Sequence, residues 1–371
     1  MIKDVEDNNF KPLVKKIVNE LKSCFITGIA GSGKTTLVNQ IKKYIIKSKM
    51  EYTMLTPTNL SSILVDGETL DKFSCKIRSQ EIIQKCVKDF VIVDEISMTK
   101  EMFFKMLSVI QRYKPETNFI LCGHYGQFLP VKDRVGDKKE SYYKYSSVFH
   151  ELTKSNMVKL TNCRRSDDKH FRLCSDIPRV KITDYKNEFC DKHICYTNNK
   201  RIEINRKMMD TMIARNNKQI DDENKALIAD KKYKKNPRRF TLQKHVKPLH
   251  LSAWQYTNNS QDVDLIVGTP IMSIRNVKGV MVNGETFTIL DYNDKIIKAK
   301  SVLRDNVIDI DVKEFQRNFV VSYCITSHKA QGQTFIEPYT IHEWYRLNYR
   351  SKYVALSRSS TWENCNIALQ V

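Results

Sequence analysis

Apolar and polar positions along the first third of the chain alternate between two periods. Ser23–Gly28 is a short apolar run that enters a glycine-rich loop, and Leu37, Val38, Ile41, Tyr44 and Ile45 then recur at helical spacing. Tyr52–Thr58, Phe90–Glu95 and Asn118–Gly123 read as further strands. Between the last two, Met102, Phe103, Met106, Leu107 and Ile110 form a helical stripe, with Ser97 or Thr99 as its cap. Short apolar runs separated by amphipathic helices predict βαβ units, hence an α/β fold around a doubly wound parallel sheet.

The pattern changes further along. From Asp167 to about Leu251 the chain is polar and basic, and it contains the charge-dense run Lys231–Phe240. A basic linker is expected over about 220–250. Short alternating strands with a turn at Asn283-Gly284 then predict a small antiparallel insertion over about 267–315. Phe319–Thr326, Lys352–Ser357 and Cys365–Leu369 read as buried strands. The run Lys231–Arg239, with Tyr233 and Phe240, has the chemistry to grip a nucleic-acid strand and equally that of a solvated loop; Trp254 reads as packing.

Length adds a second domain. A chain of 371 residues exceeds the usual single domain, and the border is expected at 1–162 and 163–371, with a small insertion over about 63–88 in the first part. Charge adds a partner. Lys and Arg number 62 against 42 Asp and Glu, a formal net charge of +20 spread along the chain, and a polyanion, most commonly nucleic acid, matches it. A membrane surface or an acidic protein would match the charge as well. No apolar run reaches membrane-spanning length, and Met1–Asp7 lacks the features of a secretory signal, so an intracellular, soluble protein is expected. The ten cysteines stand mostly as singletons, as free thiols do in a reducing compartment. Cys190, His193 and Cys195 lack a second ligand pair at zinc-like spacing and read as chance neighbours. The abundance of Lys, Asn, Ile and Tyr is compatible with an AT-rich genome, a viral one included.

The sharpest chemical signal is Gly28-Ile-Ala30-Gly31-Ser32-Gly33-Lys34-Thr35, which follows a strand and opens a helix that continues with Thr36. Glycines let such a loop curl so that its N–H groups and the helix N-terminus cradle phosphates. Lys34 is placed to bridge β- and γ-phosphates, and Thr35 to set its hydroxyl on Mg²⁺. Val91–Glu95 is an apolar strand ending in two acids. Asp94 is placed to hold Mg²⁺ and Glu95 to activate a water. Gln127, beyond the strand Asn118–Gly123, is placed to sense the γ-phosphate.

These features define a nucleoside triphosphatase; the later segments narrow the class. Ile325–Thr334, containing Ser327, His328, Lys329 and Gly332, and Tyr353–Arg358 resemble motifs V and VI of superfamily 1 helicases of the RecD-like and PIF-type branch, superfamily 1B. Gly123–Pro130 resembles motif III, Leu160–Arg165 resembles motif IV, and Tyr196–Asn199 followed by Ile204-Asn205 matches another segment of that branch. The motifs run in order from Gly28 to Arg358, nearly the whole chain. The resemblance implies two RecA-like P-loop NTPase domains, parallel sheets flanked by helices, with a small β-barrel-like insertion in the second. It implies ATP and Mg²⁺ as cofactors, movement on single-stranded DNA from 5′ to 3′, duplex unwinding, and replication or repair proteins as partners. Arg165 and Arg358 are then arginine fingers, and Gly332 lies at the nucleotide. Thr56, Thr58, Lys72, Ser327, His328 and Lys329 are the candidates for strand contact, through phosphates and without base selectivity.

The chain departs from the branch in places. The usual acid of motif III is His124, and the usual Thr-Ile-His-Ser-Phe reads Thr69-Leu-Asp71-Lys72-Phe73. No glutamine for adenine recognition stands around Asn8–Lys11. Two other functions fit much of this pattern: an RNA helicase of the plus-strand-virus kind, and a nucleic-acid-binding scaffold with a degenerate ATPase.

Overall fold

The computed structural model describes residues 2–3, 9–130, 144–162, 164, 166–230, 241–253 and 260–369. By its internal contacts the chain separates into two units. The first comprises Met1–Glu188, Ala330–Pro338 and Trp344–Val371, and the second Phe189–Lys329 and Tyr339–Glu343. This division differs from the border expected at 162, because the segments around Gly332 and Arg358 group with the glycine-rich loop.

Unit 1 is built on the strands β1 (Ile2–Lys3), β2 (Cys24–Gly28), β3 (Tyr52–Thr56), β4 (Glu68–Thr69), β5 (Phe90–Val93), β6 (Asn118–Gly123) and β7 (Met157–Leu160), of which β2, β5 and β6 are buried on both faces. They form one parallel sheet in the order β1-β7-β2-β6-β5-β3-β4. Successive side chains of a strand point to opposite faces, so the apolar runs feed two cores. Val91, Val93, Phe119 and Leu121 pack on one face with Leu107 and Ile110 of the helix Glu101–Tyr113. Ile92, Ile120 and Ile26 pack on the other with Leu37, Val38, Ile41 and Ile45 of the helix Lys34–Lys47. The helix stripes read from the sequence are therefore largely the buried faces, with Met102 of the second stripe exposed instead.

Three local expectations change. The helix Glu101–Tyr113 is preceded by Lys100 without a side-chain cap; Ser97 sits inside the tight turn Ile96–Met98 and Thr99 just beyond it. The turn is displaced because Glu95 takes a left-handed backbone, φ +51°. Residues 63–88 are integral to the sheet unit: β4 pairs with β3, and Leu70, Phe73, Ile83 and Val87 of this stretch are buried in its core. Lys352–Ser357 is not a strand but mostly the helix Tyr349–Leu356. Tyr353, Val354, Ala355 and Leu356 are consecutive and all buried, so the last turn of this helix lacks the polar face that separates a helix from a buried strand.

Unit 2 holds β8 (Lys192–Cys195), β9 (Leu249–Leu251), β10 (Val263–Leu265), β11 (Pro270–Ser273), β12 (Thr286–Tyr292), β13 (Ile296–Ser301), β14 (Val307–Asp311), β15 (Phe319–Val321), β16 (Cys324–Thr326) and β17 (Tyr339–Ile341). β16, β8 and β17 pair in parallel. The helix Asn198–Ala229 follows β8, capped by the Thr197 side chain, and takes up the first part of the stretch expected to be a linker. Residues 231–240, with Tyr233 and Phe240, lie outside the described residues, as does Trp254. The alternating segment forms an antiparallel sheet of order β14-β13-β12-β11-β15, with β14 and β15 at its edges. Its inward residues Ile271, Phe287, Ile289, Ile297 and Ala299 pack on Ile204, Met208 and Met209 of the long helix. The expected turn lies at Asn283-Gly284, where Gly284 has φ +91°. Among the described residues, no helix is long and apolar enough to cross a membrane.

Candidate active site

The glycine-rich loop leaves β2 at Gly28, where a β-carbon would stand 2.5 Å from Ser32 Oγ and 2.7 Å from the Leu160 carbonyl oxygen. Any larger residue there forces the loop open. Gly31 and Gly33 take φ +82° and +88°, the left-handed region that side chains avoid. The loop closes on itself through Lys34, whose Nζ donates to the Gly28 and Ile29 carbonyls at 2.6 and 3.0 Å. It borders a cavity of about 460 Å³ lined by Ala30, Gly31, Gly33, Lys34, Thr35 and Thr36. Asp94, Glu95 and Gln127 reach the same cavity from the ends of β5 and β6, and Gly332 and Arg358 from the C-terminal segments of unit 1. The sequence-derived nucleotide residues thus converge, except Gly28 and Ser32, which shape the loop without facing the cavity, and Arg165, which lies outside the described residues.

The acids are set by their backbone. The Glu95 N–H donates to Asp94 Oδ1 at 2.9 Å, so the left-handed turn at Glu95 aims both carboxyls at the cavity. Burial raises the Asp94 carboxyl, opposed by the Glu95 amide and the Lys34 charge. Glu95 is pushed up to about 7, first by burial and then by Asp94, with Lys34 and Arg358 pulling the other way. Its Oε2 is buried without a protein partner, as is Ser32 Oγ. A buried oxygen left without a donor is costly, so Glu95 faces something the protein itself does not supply. Thr35 and Asp94, oxygen donors that both line the cavity, fit a hard divalent cation such as Mg²⁺. His124 adds no charge there, since burial and the nearby Lys34 lower it to about 3 and keep the ring neutral.

Arg358 is 4 % exposed. Its Nε donates to the Val354 carbonyl at 2.7 Å, Nη1 to those of Ala330 and Gln333 at 3.2 and 3.0 Å, and Nη2 to Ser357 Oγ at 2.7 Å. It follows a helix, not the strand of a second sheet, and groups with the loop it faces. Three residues escaped the sequence reading. Arg164 lines the cavity, donates to the Ser32 carbonyl at 3.1 Å, and lies over the Phe10 ring at 4.4 Å. The signal for it was present as the pair Arg164-Arg165, whose register spacing alone leaves open. Gln331 Nε2 lies 3.4 Å from Gln127 Oε1. Tyr353 Oη accepts from the Ala30 N–H at 2.5 Å.

The strand-contact candidates fall in both units. In unit 1, Thr56 is buried and donates to the Thr58 carbonyl at 3.0 Å, while Thr58 Oγ1 caps the helix Asn59–Leu64 by accepting from Ser61 N. Both hydroxyls therefore hold the turn after β3. Lys72 is exposed and pairs with Glu68 Oε1 at 3.1 Å. Asp71 sits in the first turn of the helix Leu70–Lys76, where the helix dipole favours an acid. In unit 2, Ser327 is buried, and Lys329 Nζ donates to Asn283 Oδ1 at 2.5 Å.

A parallel sheet with a phosphate loop after β2, a paired acid after β5 and a glutamine after β6 defines the P-loop nucleoside triphosphatases. Residues 13–133 match the profile of an AAA domain. The ATP-dependent DNA helicase Pif1 of Campylobacter jejuni is 24% identical over 91% of this chain and 86% of its own length. The corresponding helicase of Bdellovibrio bacteriovorus is 22% identical over 84% and 76%. The PIF1 helicase of Danio rerio aligns with 44% of this chain and 28% of its own length. Among solved structures, Bacteroides Pif1 bound to ssDNA superposes with a TM-score of 0.64 at 19% identity, covering 98% of this chain and 93% of that one. Candida albicans Pif1 superposes with a TM-score of 0.64 at 16% identity, covering 99% and 96%. The fold is that of two RecA-like domains, as in these solved structures, and over most of its length the chain is similar to Pif1 helicases.

Proposed function

We propose that the chain hydrolyses ATP with Mg²⁺ and uses the turnover to move along single-stranded DNA, in the 5′-to-3′ direction, and to part duplexes. The observation that carries this reading is the single cavity shared by Lys34, Thr35, Asp94, Glu95, Gln127 and Arg358. Its residues divide the work. Loop amides and the helix N-terminus hold the phosphates, and Lys34 exchanges its two carbonyl partners for phosphate oxygens. Glu95, close to neutral pH in its proton affinity, takes the proton of the attacking water. Gln127 orients that water, and Arg358 faces the charge that develops on the transferred group. Thr35 and Asp94 would hold Mg²⁺, which neutralises phosphate charge when bound. Replication or repair proteins would be its partners.

The supporting assay compares ATP turnover with and without DNA and RNA oligomers, then unwinding of duplexes with 5′ or 3′ tails. Turnover that ignores single strands sinks the motor reading. The pH profile has a fixed sign. A base works ionised, and Glu95 is raised from 4.5 to about 7, so activity is lost as pH falls through 7. On that value kcat/KM should stand at about half its plateau at pH 7 and about tenfold below it at pH 6. A flat profile from pH 5.5 to pH 8 removes Glu95 from the role. Strand binding should also weaken steeply with salt. If Lys329 touches a phosphate, Lys329→Ala lowers the slope of log K against log salt by about 0.7, read by fluorescence anisotropy titrations; an unchanged slope takes Lys329 off the track.

A further inference from the structure

One hydrogen bond at the cavity is not required by the chemistry of hydrolysis. The Ala30 N–H of the phosphate loop donates to Tyr353 Oη at 2.5 Å, and Tyr353 is 1 % exposed. The His124 ring stands 5.4 Å from the tyrosine ring, tilted by 32°. A phenylalanine fills such a space without bringing in an oxygen, and a buried hydroxyl is tolerated only when bonded. The helix that carries Tyr353 also seats Arg358. Ser357 N donates to the Tyr353 carbonyl at 3.0 Å, Ser357 Oγ accepts from Arg358 Nη2 at 2.7 Å, and the Val354 carbonyl accepts from Arg358 Nε at 2.7 Å. One side-chain bond and one helical turn therefore connect the loop to the guanidinium.

We propose that Tyr353 is a positioning residue for the reaction: its hydroxyl ties the phosphate loop to the seat of Arg358, and so sets where that guanidinium stands relative to the transferred phosphate. The proposal rests on the hydrolysis reading above. Four hydrogen bonds, to the Val354, Ala330 and Gln333 carbonyls and to Ser357 Oγ, hold Arg358, so the position of the guanidinium is set by its surroundings. What moves the helix relative to the loop moves the charge. A displacement of about 1 Å in such a group is enough to lose up to about 10²-fold in rate.

The test is Tyr353→Phe in the full chain, with ATP turnover and the affinity for a non-hydrolysable nucleotide measured in parallel, and melting followed to confirm folding. Loss of one buried hydrogen bond predicts a fall in kcat of about 3- to 10-fold with nucleotide affinity unchanged. Ser357→Ala, which loosens the same seat, should reproduce that split. In an Arg358→Ala background, read by single turnover, Tyr353→Phe should change the rate by less than about twofold, because residues that act through one group are not additive. An equal fall in both backgrounds makes Tyr353 merely structural and overturns the proposal. Tighter nucleotide binding with kcat unchanged overturns it too, since the hydroxyl would then compete with phosphate for Ala30. A wild-type chain that turns over no ATP overturns the hydrolysis reading itself. An active wild type with an insensitive Tyr353→Phe overturns only the present proposal.

Discussion

Lys34→Ala lowers ATP hydrolysis by on the order of 10²–10³ or more, while the protein stays folded and still holds single strands. The side chain is the lysine of a loop that already curls around it, 2.6 Å from the Gly28 carbonyl. Its ammonium is also a charge that Asp94, Glu95 and His124 all feel. Alanine removes the loop's own cation from the cavity, where Arg164 and Arg358 remain, and leaves the glycines to form the loop as before. Two consequences separate this outcome from unfolding. Melting temperature should stay within a few degrees, since the lysine contributes no core packing. Strand binding, followed by anisotropy of a labelled oligomer, should be retained. Loss of both activities together would mean that the cavity and the strand track are one surface.

Arg358→Ala carries the second large effect, a fall in kcat of about 10³-fold or more with nucleotide binding retained. The guanidinium lines the cavity and lowers the proton affinity of Glu95, so it acts on the reacting region through charge as well as position. It is also structural, since it satisfies three backbone carbonyls. Arg358→Lys is the control: lysine supplies a charge without the fork of donors, so a partial recovery of stability with little recovery of rate separates the two contributions. Rates within tenfold of wild type in Arg358→Ala would remove the arginine from the chemistry.

Lys34 was legible in the residues alone, and the reason is geometric, whereas Arg358 came only with the resemblance to the helicase motifs. A phosphate loop needs glycines at fixed offsets and a lysine at its end, so the pattern at Gly28–Thr35 survives in one dimension. The parallel sheet was legible because its strands are buried on both faces and read as unbroken apolar runs. The helix Tyr349–Leu356 was not, because four consecutive buried residues, Tyr353–Leu356, erase the polar stripe over its last turn. That error carried Arg358 onto a strand of a second sheet, when it belongs beside the loop. Arg164 was missed for another reason: two adjacent arginines are equivalent in a string and differ only in which way the backbone turns them. The roles of Thr56 and Thr58 in holding a turn are set by hydrogen bonds between near neighbours, which residue identity alone does not reveal.

The left-handed turn at Glu95 has a consequence for how this protein is able to change. A residue bearing a β-carbon costs about 1–2 kcal/mol in that conformation, and glycine or asparagine would settle there more easily. Neither would bring the carboxylate that the proposed reaction requires. Selection for a sturdier fold and selection for turnover therefore pull in opposite directions at a single peptide unit, and any lineage that hardens the protein must find its gains somewhere else in the sheet.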